Sequence, residues 1–257
     1  MRQKDLIYEQ PLNELVRACL RLEHLFKRLE IYLTSNHVDL YSQTIVCLII
    51  DLLNLLDRPD LKSKLTKEFN RFISVFLSSS YRGSYKSVDI EPLVSELKQM
   101  VYYFLNVPGK IAQPLRENLF LSTIRQYLLS PGGDSCIDAP HYFYWLNQPA
   151  EVRKKQIEQW HHAFDKIRES TALLLKIVRG SAETFNLIAE KGFYHESLDS
   201  QLSVQLVRVV LPASAVLYPE ISAGRHRISI RFVIPDMTHR SAQAPQDVSF
   251  QLMKCTI

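Results

Sequence analysis

LYPEISAGRHRISIRF, residues 217–232, is the stretch on which the fold turns. Its second half alternates: Arg225, Arg227, Ser229 and Arg231 share one parity, and His226, Ile228, Ile230 and Phe232 share the other. A strand sends successive side chains to opposite faces, so this segment reads as a strand with a cationic face and an apolar face. Successive positions of one parity stand about 6–7 Å apart at a rise of about 3.3 Å per residue, so Arg225 and Arg227 are neighbours and Ser229 separates Arg227 from Arg231. Such a row repels itself. It calls for an anion, supplied by the chain or by a partner. The apolar parity calls for a core.

Strand character recurs around it. Residues 192–194 (GFY), 203–211, 228–234 and 248–253 (VSFQLM) carry apolar, β-branched or alternating patterns, and residues 6–8 form a short apolar patch before Pro11. Upstream, the period is helical. Asn13 offers an N-cap to a helix running to about Leu33, with Leu15, Cys19, Leu22, Phe26 and Leu29 as its stripe. Helices are expected over 37–56, 60–77, 89–105, 112–129 and 150–180, with 78–87 as a loop and 138–146 as a short aromatic segment. The helix at 37–56 is very apolar around 45–56 and needs burial on most sides, in a bundle core or a dimer interface. Helices first and strands last predict an α+β fold. An antiparallel helical bundle over 12–110 is expected to dimerise. A smaller antiparallel β-rich domain is expected from 1–11 and 111–257, together with its accompanying helices.

Composition narrows the function. The chain has 257 residues, 46% hydrophobic and 23% charged, with a net charge of +4. That is globular and only mildly basic, weaker than a dedicated DNA-binding domain. The excess sits late: from Gln201 onward Arg208, Arg225, Arg227, Arg231, Arg240 and Lys254 face only Glu220, Asp236 and Asp247. Cys19, Cys47, Cys136 and Cys255 are scattered, as buried thiols in a reducing compartment are. The N-terminus lacks an apolar signal core, and the longest apolar run, 45–50, is far short of the roughly 20 residues of a membrane helix. A cytoplasmic protein without a membrane partner is expected.

Motifs of catalysis do not appear. Seven glycines form neither GxGxxG nor GxxxxGK[ST], and HExxH and GxSxG are missing. His161 and His162 point about 100° apart on a helix and lack the i, i+4 spacing for one metal. Asp57 and Asp60 flank a helix start, where carboxylates serve the macrodipole. No enzyme activity, cofactor or metal is expected. What remains is electropositive: Arg17 and Arg21 on the first helix, Arg58 at a turn, Arg116 and Arg125 on the fifth helix, and Arg225, Arg227 and Arg231 on the late strand. Beside apolar and aromatic surface, such arginines suit an acidic peptide. A nucleic-acid-binding module using the same residues is the alternative.

Five segments sharpen this choice: YEQPLNELVRACLRLEHL (8–25), PLREN and IRQYLLSPGG within 114–133, DAPHYFYWL (138–146), GFY (192–194) and the opening stretch at 217–232. In order and spacing they resemble the ZapD family of bacterial Z-ring-associated cell-division proteins, across nearly the whole chain. The resemblance is weakest over 61–95, where only the helical pattern agrees. It implies a non-enzymatic cytoplasmic homodimer at the mid-cell division ring. Such a dimer binds the C-terminal tail of the tubulin-like GTPase FtsZ and bundles its filaments. It also places Arg227 and Arg231 at the family's important strand arginines, and Arg17, Arg21, Arg58, Arg116 and Arg125 at basic family positions. Two departures imply a less basic, more apolar pocket: Leu119, where members can carry arginine, and Phe143, at a histidine-like position.

Overall fold

Among the described residues, the change from helical to alternating spacing falls where the helices give way to strands. The computed structural model describes residues 5–35, 38–78, 90–199 and 203–257. Its architecture is α+β with antiparallel sheets. Two compact units emerge: one from Met1–Arg17, Arg71–Glu96 and Leu174–Ile257, the other from Ala18–Asn70 and Leu97–Leu173. Most of the expected loop at 78–87 lies outside the described residues.

The first unit holds a pair of sheets. One has the order β1 (Leu6–Pro11), β4 (Val204–Leu211), β8 (Val248–Thr256), β2 (Ala182–Ala189). The other has the order β3 (Phe193–Ser197), β6 (Arg227–Ile234), β5 (Tyr218–Ala223), with the short β7 (Ala242–Gln243) also paired to β6. The inner parity of β6 is Ile228, Ile230 and Phe232, each 0% exposed, and it meets Val207, Val209 and Leu211 of β4 and Phe250 and Leu252 of β8. Phe232 and Phe250 are 4.9 Å apart, centroid to centroid. Each such side chain contributes about 1.5–3 kcal/mol on burial, so the apolar parity fixes the strand's register. Pro11 and Pro219 sit on β1 and β5, both edge strands, where a missing N–H costs no ladder bond. Both β2 and β5 lie in stretches for which periodicity gave no strand.

The second unit is helical, and several of the helices described next belong in part to the first. α1 (Glu14–Leu33) starts as expected: the Asn13 side chain accepts from Val16 N at 2.8 Å, a cap worth about 1 kcal/mol. α2 (Val38–Leu56) buries Ile45, Val46, Leu48, Ile49, Ile50, Leu52, Leu53 and Leu56, so its apolar circumference is satisfied as bundle core. α3 (Leu61–Leu77) and α4 (Ile90–Asn106) follow their stripes. No single helix among the described residues is long and apolar enough to cross a membrane.

Two expected helices are broken. Residues 112–129 form α5 (Gln113–Arg116) and α6 (Leu119–Tyr127), because Asn118 is extended and its side chain caps Leu121 N at 3.0 Å. The aromatic segment becomes α7 (Pro140–Leu146), with proline in the first turn. Residues 150–180 form α8 (Ala150–His162) and α9 (Asp165–Gly180). The break inserts Phe164, 1% exposed, against Phe26 with centroids 6.2 Å apart. Burying that ring outweighs the few helical bonds lost.

Candidate functional site

The outward parity of β6 lies at the centre of a three-strand face. Arg231 stands opposite Phe193 of β3 and Glu220 of β5; Ser229 stands between His195 and Ser222; Arg227 faces Ser197. Phe193 is 43% exposed, and its ring stacks on His195 with centroids 5.9 Å apart. This places cations, an aromatic ring and hydroxyls on one surface. Gly192 makes the approach of β3 possible: its φ is +72°, and a Cβ there would lie 2.5 Å from the Ala244 carbonyl oxygen.

The anion demanded by the arginine row is partly internal. Arg231 donates through Nε to Glu220 Oε2 at 3.0 Å, and its Nη2 reaches the same oxygen. Arg225 does not join the row. It lies in the turn before β6, where Gly224 N donates to Arg227 O at 3.0 Å, so the face carries two strand arginines and one at its end. Among the described residues neither Arg225 nor Arg227 has an acidic partner within ion-pair distance, and both are exposed. Three other cations of this unit are matched. Glu9 accepts from Arg179 at 2.8 and 2.7 Å and lies 2.9 Å from Arg208, while Lys254 pairs with Glu196. Tyr194 donates to Glu196 at 2.9 Å, and burial together with that carboxylate pushes its hydroxyl up to about 12. Arg17 bonds Glu14 at 3.1 Å and the Pro11 carbonyl at 3.4 Å.

The helical unit treats its arginines differently. Arg116, its side chain only 10% exposed, donates to Ile111 O at 2.9 Å and Leu56 O at 2.7 Å, and pairs with Asp57. Arg125 pairs with the other oxygen of Asp57, and Arg58 follows Asp57 in sequence. Two guanidiniums thus share one carboxylate, leaving one positive charge. Burial, then the neighbouring Arg125, lowers the pKa of Arg116, whose guanidinium remains charged. Asp57 therefore neutralises arginines as well as standing before a helix, a role that its neighbours in sequence do not reveal. Asp60, by contrast, pairs with Lys64 within its own helix start. Arg21 is exposed on α1 with no ion pair among the described residues. The two departures, Leu119 and Phe143, are 78% and 52% exposed.

The partners missed by the sequence reading were Glu220 and Asp57. Glu220 was findable. A hairpin turning about Gly224–His226 pairs Tyr218 with Val233, Glu220 with Arg231 and Ser222 with Ser229, and Glu220 lies within the opening stretch itself.

Fold and side chains together define an α+β protein whose exposed chemistry is a cationic, partly aromatic sheet face. Its sequence matches the family model for ZapD, described as a cell division protein, over residues 20–231. Among curated relatives, the cell division protein ZapD of Coxiella burnetii is 35% identical over 254 residues, covering 98% of each chain. That of Ralstonia pickettii is 32% identical over 251 residues, 97% of this chain and 99% of the relative. The chain belongs to the ZapD family of cell division proteins.

Proposed function

We propose that this chain is a non-enzymatic cytoplasmic factor of the mid-cell division ring. It binds the C-terminal tail of FtsZ and, as a homodimer, cross-links FtsZ filaments into bundles. Family membership supports the process, and the resemblance supplies the partner. The observation that carries the binding chemistry is the β6 face: Arg225 and Arg227 unpaired among the described residues, Arg231 held by Glu220, and Phe193 exposed beside them. A short acidic and apolar peptide offers what that face lacks. Arg17 on the same unit, and separately Arg21, Arg58, Arg116 and Arg125 on the helical unit, are the further contacts proposed from the resemblance. Arg116 and Arg125 together carry one charge beyond that of Asp57.

A single peptide on a single face binds weakly, because ordering the peptide opposes it. Filaments present many tails and a dimer presents two faces, so effective concentration turns weak contacts into strong bundling. The test is titration of a labelled FtsZ tail peptide against the full-length protein, paired with cosedimentation of FtsZ filaments. Saturation near one peptide per protomer is expected. A monomeric variant, verified by sedimentation, should bind the peptide and fail to bundle. Binding that ignores the tail sequence, falls steeply with salt and is shared by any DNA points to the nucleic-acid alternative instead.

A further inference from the structure

The break between α8 and α9 has a chemical consequence. His161 and His162 close α8, and Asp165 opens α9. On one straight helix the adjacent imidazoles diverge, but here the ligand atoms of all three residues lie within 4.8 Å of one another. The geometry points to a binding site for a borderline divalent cation of the zinc type, formed by His161, His162 and Asp165 on the helical unit.

Three observations support the donor set. His162 Nδ1 is 3.0 Å from Asp165 Oδ2, close to the ligand–ligand edge of about 3.3 Å in a tetrahedron with bonds of about 2.0–2.1 Å. His161 Nε2 lies 3.2 Å from Arg168 Nη1, and a guanidinium can only donate, so this nitrogen presents a lone pair. Arg168 also donates to Asp165 Oδ1 at 3.0 Å, bridging imidazole and carboxylate as a cation would. On metal binding, Arg168 would release His161 and keep Asp165 Oδ1, orienting the carboxylate whose Oδ2 ligates. Two nitrogens and one oxygen favour zinc, nickel or copper over magnesium or calcium, and leave a coordination position for water or a further ligand. His162 and Lys166 also line a cavity of about 580 Å³ with Tyr103, Ile111 and Pro114, which gives that position room for a small ligand.

The test uses the full chain with Co²⁺ as spectroscopic probe and Zn²⁺ as competitor. The expected result is one Co²⁺ per chain with a visible d–d band, displaced by Zn²⁺. Affinity should fall at least tenfold in His162→Gln and in Asp165→Asn, whose altered groups are at the surface. Arg168→Gln should bind more tightly, since it removes the competing cation. Uptake that is unchanged in the His162→Gln/Asp165→Asn double variant, or absent from the wild type at micromolar metal, overturns the assignment.

Discussion

Arg116 in the helical unit and Arg227 on the β6 face carry the same group and opposite commitments. Arg116 spends its donors on two backbone carbonyls and Asp57, and its side chain is 10% exposed. Arg227 is exposed, with no acidic partner among the described residues. One arginine therefore holds helix ends together, and the other is available to a partner. What separates them is the local supply of acceptors. The end of α2 offers Leu56 O and Asp57 to Arg116, whereas Arg227 stands opposite Ser197 on β3 and bonds only the Gly224 N–H through its carbonyl on the other side. Charge count alone cannot tell such residues apart. Burial and acceptors can.

The largest effect is expected where the commitment is deepest. Arg116→Ala leaves two carbonyls and part of Asp57 without a donor, and should destabilise the protein by about 3 kcal/mol in urea unfolding. Stability within about 0.5 kcal/mol of wild type would erase the contrast with Arg227. Next comes Arg227→Glu with Arg231→Glu. Reversing both strand charges should cost tail-peptide affinity about 100-fold and abolish filament bundling, while leaving the urea midpoint nearly unchanged, because the inner parity of β6 is untouched. Normal bundling by this folded variant removes the β6 face from the proposed site.

Both sides of this comparison were unequally legible in the sequence. The inner parity of β6 was readable because alternation over Arg227–Phe232 has a single meaning in a half-buried strand. The N-cap at Asn13 was readable for the same reason: its cause is local. Glu220 was missed because β5 contains Pro219 and little alternation, so the hairpin that delivers the carboxylate gave no periodic signal. Asp57 was missed because its arginines arrive from 59 and 68 residues away. The breaks at Asn118 and at Ala163–Phe164 were missed because the helical period continues through them; only tertiary burial of Phe164 reveals the second. The same break creates the His161–His162–Asp165 cluster, so one error in the helix reading hid a candidate site.

Glu220 allows the comparison to be sharpened in the other direction. In Glu220→Gln, Arg231 loses its internal anion and comes to resemble Arg227. Tail affinity should rise about three- to tenfold, consistent with removing an exposed competitor worth about 1 kcal/mol. The gain should shrink at high salt. Unchanged affinity in a peptide titration would mean that Arg231 stays with Glu220 when the tail is bound, and that Arg225 and Arg227 alone carry the charge recognition.

The smallest effect tests whether a cation's neighbour also bears a cost. Burial first, and then Arg168, lower the pKa of His161 from its ordinary 6.5, so the folded state holds this imidazole neutral. Above that value both states are neutral and the fold keeps its full stability. As pH falls through 6.5 the unfolded chain takes up the proton while the folded chain resists, so stability declines until the lowered folded value is reached. His161→Gln removes this contribution. Urea midpoints at pH 7.5 and 5.5 should therefore differ less in the variant than in the wild type. An equal difference in both proteins means that neither burial nor Arg168 holds His161 neutral in the folded chain.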